Sequence, residues 1–174
     1  MRLDMVSNGG CTHDASFPVM DLSQQNGDGC YFVPTYRTTG TVARTNLASN
    51  TAMRGFGTLQ AVLAVEEAIE QVAHATGLLP EDVRRRNMYA DATATSWQRT
   101  HFSQDLKYCN ALTLFDHLRE HCAFDRRRAE IAEFNEKHRW KKRGISLMPF
   151  KYGVGYQPRS LEQGSAYVSI YAAD

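Results

Sequence analysis

Paired cysteines are missing from this sequence. Its four cysteines, Cys11, Cys30, Cys109 and Cys122, include no C-x-x-C spacing. That argues against a zinc ribbon, an iron–sulfur cluster or a thioredoxin-type site within this stretch, and leaves reduced, mostly buried thiols as the expectation. Net charge is nearly absent too: twenty Lys plus Arg stand against nineteen Asp plus Glu, a formal +1. The long-range field of a nucleic-acid or anionic-membrane binder is therefore lacking. Local basic clusters at 84–86, 126–128 and 140–143 read as solvated helix faces, the first two offset by Glu81, Asp82, Asp125, Glu130 and Glu133. No stretch approaches the length of a membrane span, and the opening MRLDMVSNGG has no apolar run of signal-peptide length. A soluble, cytoplasmic protein without nucleic-acid or membrane partners is expected. Neither G-x-S-x-G nor G-x-x-x-x-G-K-[ST] occurs, so a hydrolase elbow and a P-loop are unsupported.

With 174 residues, 43% of them hydrophobic, the chain can bury the core of one domain, or form a slice of a larger one. Its first fifty residues, rich in Thr, Ser, Asn and Gly, read as strands and loops, with extended candidates at Cys30 to Tyr36 and Gly40 to Thr45. From Thr58, Leu59, Val62, Leu63, Val65, Ile69, Val72 and Ala73 recur near helical spacing until Gly77, which predicts a long helix with a glycine stop. Pro80, followed by Glu81 and Asp82, opens a shorter helix through Met88. Two further helices, one carrying Leu112, Phe115 and Leu118, the other Ile131 and Phe134 behind an Asp125 cap, suggest an antiparallel pair. Beyond Gly144 two strands are expected, the last with Ala166, Val168 and Ile170 alternating with Tyr167, Ser169 and Tyr171. Nothing covers the edge of that last strand, so the chain reads as cut from something larger. The fold class expected is α+β, helices packed on short mixed or antiparallel strands.

The stretch NTAMRGFG at 50–57 places Arg54 and Phe56 around Gly55 and before Gly57, directly ahead of the long helix. A Gly-x-Gly turn at a helix entrance exposes backbone N–H groups and the positive end of the helix dipole, a site for an anion or a metal-bound oxygen. Arg54 adds a fixed positive charge, and Phe56 can stand as a pocket wall. The plainer reading makes Phe56 ordinary core and Arg54 a surface residue in a capped turn.

The run RTNLASNTAMRGFGTLQAVLAVEEAI from Arg44 to Ile69 resembles the molybdenum-binding region of the xanthine dehydrogenase and aldehyde oxidase family of molybdenum hydroxylases. CYFVPTYRTTG (30–40), GLLPEDVRRRNMY (77–89) and EFNEKHRWKKRGISLMPFKYG (133–153) resemble counterparts in the same order, and the likeness is weakest between Ala90 and Asn110. The resemblance implies that residues 1–174 are an incomplete part of the molybdopterin-binding domain. It implies that Arg54, with the backbone of Met53 and Gly55, lies against the molybdenum centre without ligating the metal. Phe56 and Tyr156 become two aromatic walls of the substrate pocket. The position of the purine-clamping arginine falls on Leu22, so aldehydes or N-heterocycles are expected in preference to xanthine. The reaction implied is oxidative hydroxylation, with a glutamate base supplied from outside this stretch and electrons leaving through iron–sulfur clusters to FAD. A homodimer is a family expectation, and the isolated stretch is expected to be inactive. Glu66 and Glu67 are read as solvated or salt-linked, not as the base.

Two alternatives stand beside this reading. One is a non-catalytic truncated fragment that serves as an interaction module. The other rests on HLREH, where His117, Glu120 and His121 match the H-x-x-E-H pattern of inverted zinc peptidases. Spacing suggests no third ligand, and two exposed histidines on an amphipathic helix is the plainer account.

Overall fold

The computed structural model describes residues 1–153 and 164–172. The elements run β1 (Arg2–Gly10), α1 (Ser16–Gln25), β2 (Arg37–Arg44), α2 (Thr58–Thr76), α3 (Pro80–Asn87), α4 (Ala111–His121) and α5 (Phe124–Lys137).

The strands correct the sequence expectation. β1 and β2 form a two-stranded parallel sheet, with Arg2 opposite Arg37 and the register kept to Asn8 opposite Ala43 before a shift at Gly10. Parallel strands need a crossover, and α1 supplies it. That helix was unexpected: SFPVMDLSQQ has no acidic residue in its first turn and no side-chain cap. Packing forms it instead, through contact with β2 and α2 and the burial of Met20 and Leu22. The expected strand at Cys30 to Tyr36 reduces to one isolated antiparallel bridge, Tyr31 with Met88.

The helices follow their sequence signals more closely. α2 stops at Gly77, which sits at φ 68°, and Leu78 N donates to Ala73 O, satisfying a terminal carbonyl. Pro80 opens α3 as expected. α4 and α5 are joined through Cys122 and Ala123. Asp125 is not the cap: the N-cap is Ala123, and Asp125 pairs with Arg119. Tyr31, Val65, Met88, Phe115, Phe124 and Leu147 form the buried core that joins these elements.

Among the described residues after Gly144 there is no strand, and Tyr167, Val168, Ile170 and Tyr171 are exposed. The alternation is present, but a lone strand has no ladder to complete. The basic run at 84–86 also needs correcting. Arg84 is only 2% exposed; its Nε donates to Glu66 Oε2 at 2.8 Å, and it pairs with Glu70 as well. Tyr31 Oη donates to the other oxygen of Glu66. Arg85, exposed as expected, makes a two-point contact with Asp116 at 2.6 and 2.7 Å.

Candidate functional site

The turn ahead of α2 has an uncommon backbone. Gly55 (φ 97°), Phe56 (φ 44°) and Gly57 (φ 94°) are three consecutive residues in the left-handed region. Holding a phenylalanine there costs on the order of 1–3 kcal/mol, so the surroundings must impose it. Phe56 N donates to Met53 O and Thr58 N to Gly55 O, both at 2.9 Å, which closes the turn. Underneath, Ser23 Oγ of α1 lies 2.8 Å from Gly57 O and 2.9 Å from Val19 O, and bonds to both. A Cβ on Gly57 would stand 2.1 Å from Val19 O, and one on Gly55 would stand 2.6 Å from the Leu59 side chain. The close approach these glycines permit is to α1 and to Leu59.

What the turn presents outward is chemically simple. Arg54 is exposed and forms no ion pair among the described residues. Met53 is 57% exposed, and Phe56 is half-buried. The N-cap of α2 is Gly57, which offers no side-chain acceptor to the first-turn N–H groups, so the positive end of the helix is uncapped. Thr58, 0% exposed, keeps its Oγ1 without a hydrogen-bond partner among the described residues. The exposed guanidinium fork and the N-terminal end of the helix form a donor set suited to an oxygen-rich anionic group, while the Thr58 hydroxyl is buried and is not presented to it. A molybdopterin's phosphate and metal-bound oxygens are such groups, so the residues present fit the cofactor the resemblance implies.

Leu22 is buried in α1, next to the Ser23 that holds Gly57. Tyr156 lies outside the described residues. Glu66 is buried and tied to Arg84 and Tyr31, consistent with a salt-linked role, and Glu67 is exposed and accepts from Gln71. His117, Glu120 and His121 are exposed, the two rings 6.0 Å apart, and no group of three or more His, Cys, Asp or Glu suited to a metal gathers among the described residues. Of the thiols only Cys30 is buried, with Cys11 exposed and Cys109 and Cys122 intermediate; burial pushes the Cys30 thiol up to about 12.

Sequence reasoning missed a second polar centre. Asp28, 1% exposed, accepts from Tyr89 Oη and Lys151 Nζ, each at 2.7 Å, and His101 Nδ1 lies 3.7 Å away. Burial pushes its carboxyl up, but the neighbouring His101, the Lys151 charge and the hydrogen bonds from Lys151 and Tyr89 outweigh it and hold it below the ordinary 3.8. Burial, then the Asp28 charge, pushes the Tyr89 hydroxyl upward. A cavity of about 590 Å³ opens beside this centre, lined by Cys30, Tyr89, Cys109, Phe115 and Lys151 among others. The only sequence signal was Asp28 inside NGDG, which reads as a turn; its partner lies 123 residues away.

Residues 1–88 match a family model described as a molybdopterin cofactor-binding domain, and residues 117–174 match a second model of the same description. The chain belongs to this family. It is 35% identical over 98% of its length to a xanthine dehydrogenase of Oryza sativa subsp. japonica and 38% identical over 97% to aldehyde oxidase 4 of Cavia porcellus. It is 39% identical over 97% to a nicotinate hydroxylase of Emericella nidulans. The chain spans about 12% of the length of each of these relatives. Among solved structures, quinoline 2-oxidoreductase from Pseudomonas putida 86 superimposes with a TM-score of 0.63 at 22% identity, over 78% of this chain and 18% of that one. The aldehyde oxidoreductase from Desulfovibrio gigas gives 0.62 at 20% identity, over 79% of this chain and 15% of that one. These two likenesses show the fold alone, mixed helices with a small sheet, whose two strands here are parallel. Among the described residues no helix is long and apolar enough to cross a membrane.

Proposed function

We propose that this chain is the part of a molybdenum hydroxylase that presents Arg54 to the molybdenum centre and Phe56 to a flat substrate. The observation that carries the reading is the exposed Arg54, without an ion pair among the described residues, just ahead of the three consecutive left-handed residues that lead into the uncapped end of α2. When bound, molybdopterin supplies the redox and oxygen-transfer chemistry. Arg54 contributes a fixed charge toward its oxygens, with the Met53 and Gly55 backbone alongside. Phe56 forms one wall of the substrate pocket and Tyr156 the other, so that a planar molecule is held by stacking and aimed at the metal. With Leu22 where a guanidinium would clamp a purine carbonyl, the substrates are aldehydes or N-heterocycles, and xanthine is disfavoured.

The catalytic base belongs to a part of the enzyme outside these residues, as do the iron–sulfur clusters and FAD that accept electrons. The whole enzyme is cytoplasmic and dimeric on this reading. The test is Arg54→Ala in the enzyme that contains this chain, with the molybdenum content measured alongside. Turnover is expected to fall about a hundredfold, the scale for losing one preorganised electrostatic stabiliser. Unchanged turnover with full metal occupancy refutes the role.

A further inference from the structure

We infer that Ser23 is a positioning residue for the substrate pocket: its buried hydroxyl holds the Gly57 carbonyl against α1 and so sets where Phe56 stands. The inference rests on the reading of Phe56 as a pocket wall.

The stretch 50–57 is strapped to α1 at both ends. Ser16 Oγ donates to Asn50 O at 3.1 Å, and Ser23 Oγ donates to Gly57 O at 2.8 Å. The two serines are seven residues apart in one helix, so they share a face, two turns from each other. They are 7% and 5% exposed, so water competes little for either bond. Arg54 and Phe56 lie on the span between these anchors.

The two ends are not equally secured. Asn50 is also tied to β1, its N donating to Gly9 O at 3.2 Å and its Nδ2 to Asn8 O at 2.8 Å, so the upstream end keeps its place without Ser16. Downstream, the Gly57 carbonyl is shared. It accepts from Ser23 Oγ at 2.8 Å and from Ala61 N, the first bond of α2, at 3.3 Å. An ordinary bond from a backbone N–H is about 2.9–3.0 Å long. The helix bond is therefore the weaker of the two, the signature of a carbonyl drawn off the helix axis by the hydroxyl. With the hydroxyl gone, that oxygen closes on Ala61 N and the peptide plane after Gly57 turns. Phe56 feels the rotation, because it sits at φ 44° between two left-handed glycines, a conformation that persists only while its surroundings impose it.

The experiment uses the enzyme that contains this chain, with a bicyclic N-heterocycle and acetaldehyde as substrates. A ring wall matters for the first and little for the second. Ser23→Ala is expected to raise the ratio of KM for the bicycle to KM for acetaldehyde about fivefold, the worth of one buried hydrogen bond. A loss of stability alone lowers the amount of active enzyme for both substrates together and leaves this ratio where it was. Ser16→Ala removes a matching hydroxyl from the same face of α1 and is expected to keep the ratio within about twofold, because β1 still holds Asn50. A crystal structure of the Ser23→Ala enzyme should show Gly57 O closing on Ala61 N to about 2.9–3.0 Å. An unchanged ratio in Ser23→Ala, an equal rise in Ser16→Ala, or a Gly57 carbonyl that has not moved overturns the inference. Phe56→Ala, assayed in parallel, separates the two claims. If it raises the ratio and Ser23→Ala does not, only the positioning role fails; if neither does, the pocket reading fails with it.

Discussion

Replacing Arg84 by Met tests whether the buried network between α2 and α3 holds these helices together. The guanidinium is 2% exposed and bonds Glu66, itself 7% exposed, so the substitution strands a carboxylate in the interior. Removing one partner of a buried pair costs about 3–5 kcal/mol. Tyr31 Oη still donates to Glu66, which offsets about 1 kcal/mol of that. The lost contact to Glu70 adds little, because its side chain is 46% exposed and water replaces the bond. The balance is a loss of about 3 kcal/mol, or roughly a hundredfold in an opening equilibrium. Hydrogen exchange reads that directly: amides of α2 and α3 that exchange through local opening should lose about a hundredfold in protection, while those of β1 and β2 change far less. Adding Glu66→Leu to Arg84→Met should recover much of the loss, since an apolar pair leaves no stranded charge. Unchanged protection in the single variant, or a double variant as exposed as the single, refutes the reasoning.

Two further outcomes concern the turn and the second polar centre. Gly57→Ala forces a Cβ to 2.1 Å from Val19 O at φ 94°, whereas Gly77→Ala at φ 68° meets nothing within 4 Å; the first should cost well over 2 kcal/mol and the second about 1 kcal/mol, compared by thermal unfolding. Asp28, held below its ordinary 3.8, contributes stability that is complete above that pH and lost as pH falls through its lowered value in the fold. The difference in Tm between wild type and Asp28→Asn should therefore be large at pH 6 and shrink below about pH 4; a difference independent of pH contradicts the assignment.

The legible parts of the fold were those whose signals are local. α2 carries its own apolar period and glycine stop, and α3 its proline entrance, and both appear where expected. α1 was not legible because nothing within Ser16–Gln25 favours a helix strongly; contacts with β2 and α2 decide it, and with α1 goes the parallel pairing of the sheet. The alternation from Ala166 to Ile170 was read correctly as a pattern, but a strand exists only with a neighbour. Arg84 was hidden inside a basic run. Its spacing of one helical turn from Glu81, which is also buried, was a usable hint that this charge faces inward.

The turn at 53–57 separates what a motif contributes to shape from what it contributes to chemistry. Its glycines suggested a backbone that a ligand approaches closely. In the fold the space beside Gly57 is taken by α1 and the space beside Gly55 by Leu59, so both glycines are required by the protein's own packing. The chemistry then rests on what the packed turn leaves outside: the Arg54 guanidinium and the uncapped end of α2. A glycine variant disturbs packing and site together, and loss of activity in it identifies neither. Arg54 makes no ion pair within the described residues, so its removal leaves the turn's internal hydrogen bonds in place. Substitution at Arg54 is therefore the change that isolates the turn's chemical role from its structural one.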